Sequence, residues 1–393
     1  MKKIIIIMAA VLSLSSIALA AQDPNVALKA AFHAKDYREA FLISSGHAKK
    51  GDAAGQYVLG QLYLNGQGVE KNPGIAYDWL KKAAAQDHPM AQFALGSLYA
   101  TGTGIKKNMQ LAKQQFNLAS QLGVADAMRS LGIMYEKGDG VPKDMGVAID
   151  WYEKAANKGM VDVQMMLAER YLKGIGVKRN PGKAFAYATK ASRAKIVDAN
   201  YLLGLMYASG QGTEQNPQLA FRNMKIASDK GLPQAQYSLG AMYIQGVGTK
   251  KNAKMALRMF QMSAKKGIPL AQHNLGLMHL QGQGTRKNPG MAFNWLNKSA
   301  QKGLANSQFL LGDLYVDGVG VKTKNYQLAM RWYRKAADQG LPMAEYSVGA
   351  MFANGFGVKK DINQARNWFN RAAKKGLPRA KNALIQLNKI AKQ

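Results

Sequence analysis

The sequence predicts an all-α protein built as an α-solenoid, which is a stack of helix–turn–helix repeats. A Leu-Gly pair followed, after two more residues, by Tyr recurs with few replacements at a period of 36 residues. Each copy continues with a Gly-x-Gly break, an Asn or Asp, and a second stretch with helical spacing of apolar residues. A fixed period of this length is typical of supersecondary units that cannot bury their apolar faces alone and therefore stack on neighbours.

The positions of the glycine in this motif give the number of repeats. Its place is taken by Gly60, Gly96, Gly132, Ala168, Gly204, Gly240, Gly276, Gly312 and Gly349. The last spacing is 37 because one residue is added between Val321 and Asn325, in a loop where an insertion costs least. Nine repeats therefore run from residue 53 to residue 377.

The first helix of each repeat, helix A, is clearest in "AQFALGSLYATGTGIKKN". Ala91, Leu95, Leu98 and Tyr99 recur at i, i+4, i+7 and i+8, which is one stripe of an amphipathic helix. The two glycines that follow are present in all nine repeats, and glycine adopts the left-handed conformation that closes a helix. The glycine inside helix A costs about 1 kcal/mol relative to Ala, which predicts a close helix crossing at that point.

The second helix, helix B, is expected to begin after the Asn or Asp that recurs in every repeat, four residues past the second glycine of the Gly-x-Gly break (five in repeat 8). Asn and Asp are strong N-cap residues, and Pro73, Pro181, Pro217 and Pro289 occupy the first helical position, where a missing N–H costs little. A glycine near the end of helix B, followed in several repeats by Pro, prevents the chain from continuing as one helix.

The two ends of the chain have their own patterns. Lys2 and Lys3, an apolar run and the small residues Ala18 and Ala20 predict a signal peptide over residues 1–20 cut after Ala20, and hence a periplasmic or secreted protein without a transmembrane span. An uncleaved signal anchor is the alternative.

Residues 21–52 are expected to form a tetratricopeptide-like helical cap. Residues 378–393 are expected to form a capping helix, whose Lys-rich face could instead touch an anionic membrane. Because the chain has no Cys, no disulfide supports it.

The repeat unit, seen again in "GVPKDMGVAIDWYEKAANKG", resembles the Sel-one-like repeat, a branch of the tetratricopeptide (TPR)-like superfamily. The resemblance covers more than four fifths of the chain and includes the period, the Gly-x-Gly loop and the paired alanines. It implies a right-handed α-solenoid that acts as a scaffold or adaptor for other proteins, often in bacterial envelopes or in contact with hosts. A cysteine-rich bacterial branch of the family bridges its helices by disulfides, and this sequence departs from it.

The charge predicts an anionic partner as an alternative. The chain has 54 Lys and Arg against 23 Asp and Glu, a formal net charge of +31. Most of the cations are Lys, which suits diffuse attraction to a cell-wall polymer, lipopolysaccharide or acidic polysaccharide better than readout of nucleic acid, which is unlikely for an exported chain. The candidate residues are ten cations in the loops from helix A to helix B, called here the loop cations: Lys106, Lys107, Lys178, Arg179, Lys250, Lys251, Arg286, Lys287, Lys359 and Lys360. Ordinary solvated loops are the competing interpretation.

A protein partner is expected to bind the concave face formed by the A helices. By alignment with the tetratricopeptide unit, the residue two before the motif Leu is a groove position. A helical wheel places it about 160° from that Leu, so simple two-helix packing should leave it uncovered. The candidates, called here the groove rings, are Tyr57, Phe93, Tyr201, Tyr237, His273, Phe309 and Tyr346. Large amphipathic rings anchor interfaces well, although the same rings could instead seal the seam between neighbouring A helices.

No residue pattern indicates an enzyme, a metal site or a cofactor. His273 and His279 are six residues apart and do not share a helix face as metal ligands would. The Gly-x-Gly loops lack the preceding strand and the following Gly-Lys-Ser/Thr of a phosphate-binding loop.

The fourth repeat departs from the others by Ala168 and Arg170. These replacements predict either a local kink in the solenoid or sequence drift in one repeat without a functional role.

Overall fold

The computed structural model describes residues 26–390, and every regular element in that range is an α-helix. The expected signal peptide, its cleavage after Ala20 and the last three residues lie outside the described residues. Two helices precede the repeats, α1 (Val26–His33) and α2 (Tyr37–Lys49), and one follows them, α21 (Pro378–Ile390).

Each of the nine repeats contributes one helix A and one helix B. The A helices are α3 (Ala53–Asn65), α5 (Pro89–Thr101), α7 (Ala125–Lys137), α9 (Val161–Lys173), α11 (Val197–Ser209), α13 (Pro233–Gln245), α15 (Pro269–Gln281), α17 (Ala305–Asp317) and α19 (Pro342–Asn354). The B helices are α4 (Pro73–Ala84), α6 (Met109–Gln121), α8 (Met145–Asn157), α10 (Pro181–Arg193), α12 (Pro217–Asp229), α14 (Ala253–Lys265), α16 (Pro289–Gln301), α18 (Tyr326–Asp338) and α20 (Ile362–Lys374). The predicted class, an α-solenoid of stacked helix pairs, is confirmed.

The chain divides into two compact units between Ala191 and Ser192. The first unit holds the two leading helices and repeats 1 to 4, and the second holds repeats 5 to 9 and α21. Within each unit, helix A packs on helix B of its own repeat, and helix B packs on helix A of the next repeat, for example α15 on α16 and α16 on α17. The core is therefore a series of small apolar clusters, each shared by adjacent helices.

The helix ends form as the loop residues predict. In repeat 7, Gly282 takes a left-handed φ of 75° and its N–H donates to Met278 O. Asn288 then caps α16, because its Oδ1 accepts from Met291 N at 2.9 Å and its own N–H donates to His279 O at 2.8 Å. The same backbone bond, from the N-cap residue to the Tyr place of helix A, recurs from Asn72 to Asp361 and fixes the loop against helix A.

The predicted close crossing lies at the glycine of helix A. An ideal Cβ on Gly276 would lie 2.6 Å from Leu296 Cγ on α16, and one on Gly240 would lie 2.8 Å from Phe260 Cδ1 on α14. Both facing side chains are fully buried. A methyl group at the glycine therefore has no space unless the two helices separate.

Repeat 4 keeps the turn and changes the crossing. Ala168 replaces the glycine, and the residue twenty positions later, where other repeats carry Phe, Tyr, Leu or Met, is Ala188. The two changes are complementary in volume, and both alanines are fully buried. The glycine that follows helix B in seven repeats is also missing, yet Lys195 takes the left-handed conformation with φ 62°, as Asp87 does in repeat 1 with φ 57°.

The glycine crossing can be tested with two substitutions in repeat 7. Gly276→Ala forces a Cβ against buried Leu296, so the strain of overpacking, about 1–3 kcal/mol, exceeds the roughly 1 kcal/mol that Ala gains in helix propensity. We expect a lower free energy of unfolding and a lower melting temperature, measured by circular dichroism.

The matched control is Gly290→Ala on α16, where the nearest atom to an added Cβ is Asn288 Oδ1 at 3.7 Å. This variant is expected to be as stable as the wild type or slightly more stable. Equal or higher stability of Gly276→Ala would contradict the crossing.

Candidate functional site

The groove rings lie on the A helices and are all half-buried. Tyr57 and Phe93 belong to the first unit, and the other five belong to the second. The rings rest on the apolar clusters beneath them: Tyr201 and Tyr237 on one cluster of the second unit, and Phe309 and Tyr346 on another. Each ring is therefore held by packing and still reaches the surface.

Four groove rings contact a ring of helix B in their own repeat. The centroids of Phe93 and Phe116 are 5.8 Å apart with an interplanar angle of 39°. Three further pairs have almost the same geometry: Tyr237 with Phe260, Phe309 with Tyr333, and Tyr346 with Phe369. The expectation that two-helix packing leaves this position uncovered is therefore wrong for these four rings, because a helical wheel gives only the direction of a side chain and not its length. Long rings at this position reach around to helix B and are partly covered.

The hydroxyl groups of three groove rings differ from those of two buried tyrosines that bond to carboxylates. Tyr152 donates to Glu136 at 2.6 Å, and Tyr333 donates to Asp313 at 2.6 Å. In contrast, the hydroxyls of Tyr201, Tyr237 and Tyr346 have no hydrogen bond to any residue of the described chain. These three hydroxyls of the second unit are available to water or to a partner.

Two further groove rings, Tyr57 and His273, have other contacts. Tyr57 stacks on His88 at 4.8 Å, and burial raises its pKa to about 12. His273 Nδ1 lies 2.8 Å from Ser307 Oγ, which donates to Ser299 Oγ at 2.7 Å. His273 is thus tied to the next repeat through a short buried chain of hydroxyls.

The loop cations are all exposed. Within residues 26–390 none of the ten forms an ion pair with a carboxylate, although Arg179 donates through Nε to Leu172 O at 3.0 Å. Lys250, Lys251, Arg286 and Lys287 share a further property. They lie in a stretch from residue 230 to residue 312 that contains no Asp or Glu at all.

Sequence reasoning missed a set of ion pairs in repeats 3 and 4. Arg170 donates to Glu136 Oε1 at 2.6 Å across 34 residues, and its guanidinium lies 5.8 Å from the Tyr152 ring. Burial alone would raise the pKa of Glu136, but the hydrogen bonds from Tyr152 and Arg170 lower it. Arg170 in a place that is otherwise apolar was the one sequence feature that could have indicated this contact.

A second missed group lies in repeat 9. Glu345, fully buried on α19, takes the place of the Gln found in most repeats. Its Oε1 accepts from Arg371 Nε at 3.1 Å and from Lys375 Nζ at 2.9 Å. Arg371 and Lys375 therefore tie α19 to the end of α20 through Oε1, while Glu345 Oε2 is buried without a hydrogen-bond partner in the described chain.

The described part of the chain also shows no place for a metal ion. No group of three or more His, Asp or Glu side chains there has the geometry to hold one. Separately, none of the helices between residues 26 and 390 has the length and apolar character that a membrane crossing requires.

The family model of the Sel1 repeat matches the chain nine times in succession, at residues 53–88, 89–124, 125–160, 161–195, 197–232, 233–268, 269–304, 305–341 and 342–377. Among solved structures, the chain is similar to c5321, a protective antigen present in uropathogenic Escherichia coli strains that displays an SLR fold. The identity is 33%, the TM-score is 0.79, and the match covers 88% of this chain and 74% of that one. It is also similar to a Sel1 repeat protein from Oxalobacter formigenes, with 29% identity, a TM-score of 0.67, and coverage of 79% of this chain and 89% of that one. No curated protein matches the sequence significantly.

Burial of two histidines predicts a pH-dependent stability. His279 is 4% exposed and neither ring nitrogen has a hydrogen-bond partner in the described chain. Burial lowers the pKa of His279 and of His273 below the ordinary value near 6.5. Folding therefore favours the neutral rings. Their contribution to stability is complete above the unfolded pKa, about 6.5, and is lost as the pH falls through the window below it.

We expect the melting temperature of the wild type to fall between about pH 7 and pH 5. His279→Tyr, which restores the residue of most other repeats, should reduce this fall. The control His33→Gln changes an exposed residue of α1 and should follow the wild-type profile. A pH dependence that is the same in His279→Tyr and the wild type would exclude His279 as its source.

Proposed function

The chain belongs to the Sel1 repeat family, and on that premise we propose that it is a non-enzymatic scaffold that binds a protein partner along its A helices. The observation that carries this proposal is the series of groove rings in the second unit. Their rings are fixed by packing, and three of them present a hydroxyl that has no partner in the described chain. Rigid amphipathic rings of this kind anchor interfaces at a low entropic cost.

The geometry favours a peptide segment as the ligand. Successive groove rings are one repeat apart, and adjacent packed helices lie roughly 10 Å from each other, which an extended chain of about three residues spans. A segment with an apolar or aromatic residue at every third position could place one side chain beside each ring. Its backbone or polar groups would then pair with the tyrosine hydroxyls.

We propose that this binding takes place in the bacterial periplasm or after secretion. The support is the amino-terminal sequence, in which a short apolar run after Lys2 and Lys3 ends in a small-residue cleavage pattern. Removal of residues 1–20 in a signal-peptidase-competent host, measured by intact mass of the exported protein, tests this location.

Binding of an anionic polymer is the second candidate function, and one observation favours it. Between Lys230 and Gly312 the chain carries eleven Lys and Arg residues and no carboxylate. All of these cations are exposed. A field of one sign that is not neutralised locally attracts an anionic chain and falls off with added salt.

The groove proposal is tested by removing hydroxyls without removing rings. Tyr201→Phe combined with Tyr237→Phe keeps the packing, so the melting temperature should not change, whereas partner capture should decrease because hydrogen bonds at the interface are lost. A photo-crosslinking residue is placed at position 346, which belongs to the same series of groove rings. The yield of crosslinked partner is then compared between the protein with Tyr at 201 and 237 and the protein with Phe at both positions.

Two further variants complete that test. Tyr201→Ser with Tyr237→Ser also removes the packed rings and should lower both melting temperature and capture. A crosslinker at Ile226, exposed on helix B, is the positional control and should capture nothing specific. If the Ser variant melts much earlier but the still-folded protein captures its partner normally, these rings only seal helices.

The polymer proposal is tested by neutralising Lys250, Lys251, Arg286 and Lys287 to Gln. The matched control neutralises Lys106, Lys107, Lys178 and Arg179, four loop cations of the first unit, where carboxylates are interspersed. Because the first set lies in the carboxylate-free stretch, its loss should weaken binding to an acidic polysaccharide more and should reduce the salt dependence of the affinity more. Binding that is unchanged and insensitive to salt would rule out this function.

A further inference from the structure

A surface cavity on α18 combines an indole ring with three cations. The cavity has a volume of about 370 Å³ and is lined by Leu328, Arg331, Trp332, Arg334 and Lys335. No carboxylate belongs to its lining. Leu328, Arg331, Trp332 and Lys335 follow the i, i+3, i+4, i+7 spacing of one face of α18, and Arg334 lies at the edge of that face.

Trp332 is a fixed wall of this cavity. Its ring is half-buried and packs against the cluster formed by Leu296, Ala300, Leu311 and Leu314. Lys335 Nζ lies 4.4 Å from the centre of the ring. The indole is therefore held by packing on one side and faces the cavity and a cation on the other.

No carboxylate of the described chain engages the two arginines of the lining, although the Arg334 guanidinium lies 5.5 Å from the centre of the Phe352 ring. Arg331 and Arg334 are exposed, and neither forms an ion pair in the part of the chain that the structure describes. The one carboxylate of α18, Asp338, forms no ion pair with them either. An arginine guanidinium can donate two parallel hydrogen bonds to a carboxylate or sulfate group, and this geometry is available here.

Among the five repeats that contain tryptophan, one has an arginine both one residue before and two residues after the tryptophan. The chain has five tryptophans, all at the same place of helix B, and each has a cation three residues later: Trp79 with Lys82, Trp151 with Lys154, Trp295 with Lys298, Trp332 with Lys335, and Trp368 with Arg371. The ring–cation pair is thus a general feature of the repeat. The two positions that carry Arg331 and Arg334 around Trp332 are both Asn around Trp295 and Trp368.

We propose that this cavity binds an acidic sugar residue of a carbohydrate chain, such as a uronate or a sulfated pyranose. The apolar C–H face of the sugar stacks on the indole of Trp332, and its carboxylate or sulfate group is bound by Arg331, Arg334 and Lys335. The lining combines a single indole with three cations on one helix, which fits one sugar residue with one acidic group. The site lies on helix B and is separate from the groove rings on helix A.

The test is a titration of the purified protein with a heparin-derived tetrasaccharide, followed by tryptophan fluorescence and by calorimetry at about 0.15 M salt. Arg331→Gln with Arg334→Gln alters exposed residues only, so the fold should persist, and the affinity should fall by roughly tenfold or more. Trp332→Leu should abolish the fluorescence change. The corresponding change Trp295→Leu on α16 should preserve it.

A gain of binding provides the sharpest control. Asn294→Arg with Asn297→Arg copies the arginines of α18 onto α16 beside Trp295 and should add a second binding site with the same ligand preference. Neutral cellotetraose should not bind, and neutralisation of Lys250, Lys251, Arg286 and Lys287 should leave the tight site on α18 in place. This last arm separates the cavity from the loop cations.

Three results would overturn the proposal. The first is unchanged affinity in the Arg331→Gln, Arg334→Gln variant while the loop variant loses binding. The second is equal binding of the neutral sugar. The third is tighter binding of a single-stranded oligonucleotide of matched charge through the same three side chains. Circular dichroism of every variant verifies that it is folded.

Discussion

The contact between the glycine of helix A and the large side chain of helix B is the constraint on which the rest of each repeat depends. It sets how closely the two helices approach, and it also positions the groove ring. Phe116 lies against Gly96 and at the same time contacts Phe93. The same three-part arrangement joins Gly240, Phe260 and Tyr237. Where helix B carries Leu or Met in this place, the groove residue has no ring beneath it and makes another contact, as His273 does with Ser307. The element that holds the repeat together therefore also orients the candidate interface.

Departures from the repeat are compensated locally, because each repeat packs only on its neighbours. Ala168 is matched by Ala188 at the equivalent place of helix B. Arg170, a charge in an apolar place, finds Glu136 in the preceding repeat. Glu345, a buried carboxylate, is paired with Arg371 and Lys375. A buried charge would be costly without its partner, so replacing one member of a pair alone would destabilise the stack. This explains how one solenoid can hold polar groups in its seams without disturbing the helices further along.

Two groups of basic residues have different roles. Arg129, Arg170 and Lys375 pair with carboxylates of neighbouring helices and contribute to the fold. The cations between residues 230 and 312 have no carboxylate within their own stretch of sequence, and their mutual repulsion lowers stability, particularly at low salt. An anionic ligand would relieve that repulsion. The proposed peptide groove lies on the A helices, whereas the proposed anion surfaces lie on the loops and on helix α18, so they do not use the same side chains.

The sequence by itself determined the helices and their ends. Helix caps depend on residues within about four positions of each other, as Asn288 and Met291 illustrate, and a period repeated nine times makes such local patterns unambiguous. The net charge follows from the composition, and the close crossing at the glycine of helix A follows from its recurrence in eight of the nine repeats. The tertiary structure alone decided how far each groove ring is covered, because a ring on helix A is covered by whichever residue helix B presents. It also decided that Arg170 meets Glu136 across 34 residues, and that Arg331, Trp332 and Arg334 border a cavity. These features depend on the distance between helices, which is set by packing volumes and is not encoded in the spacing of residues along the chain.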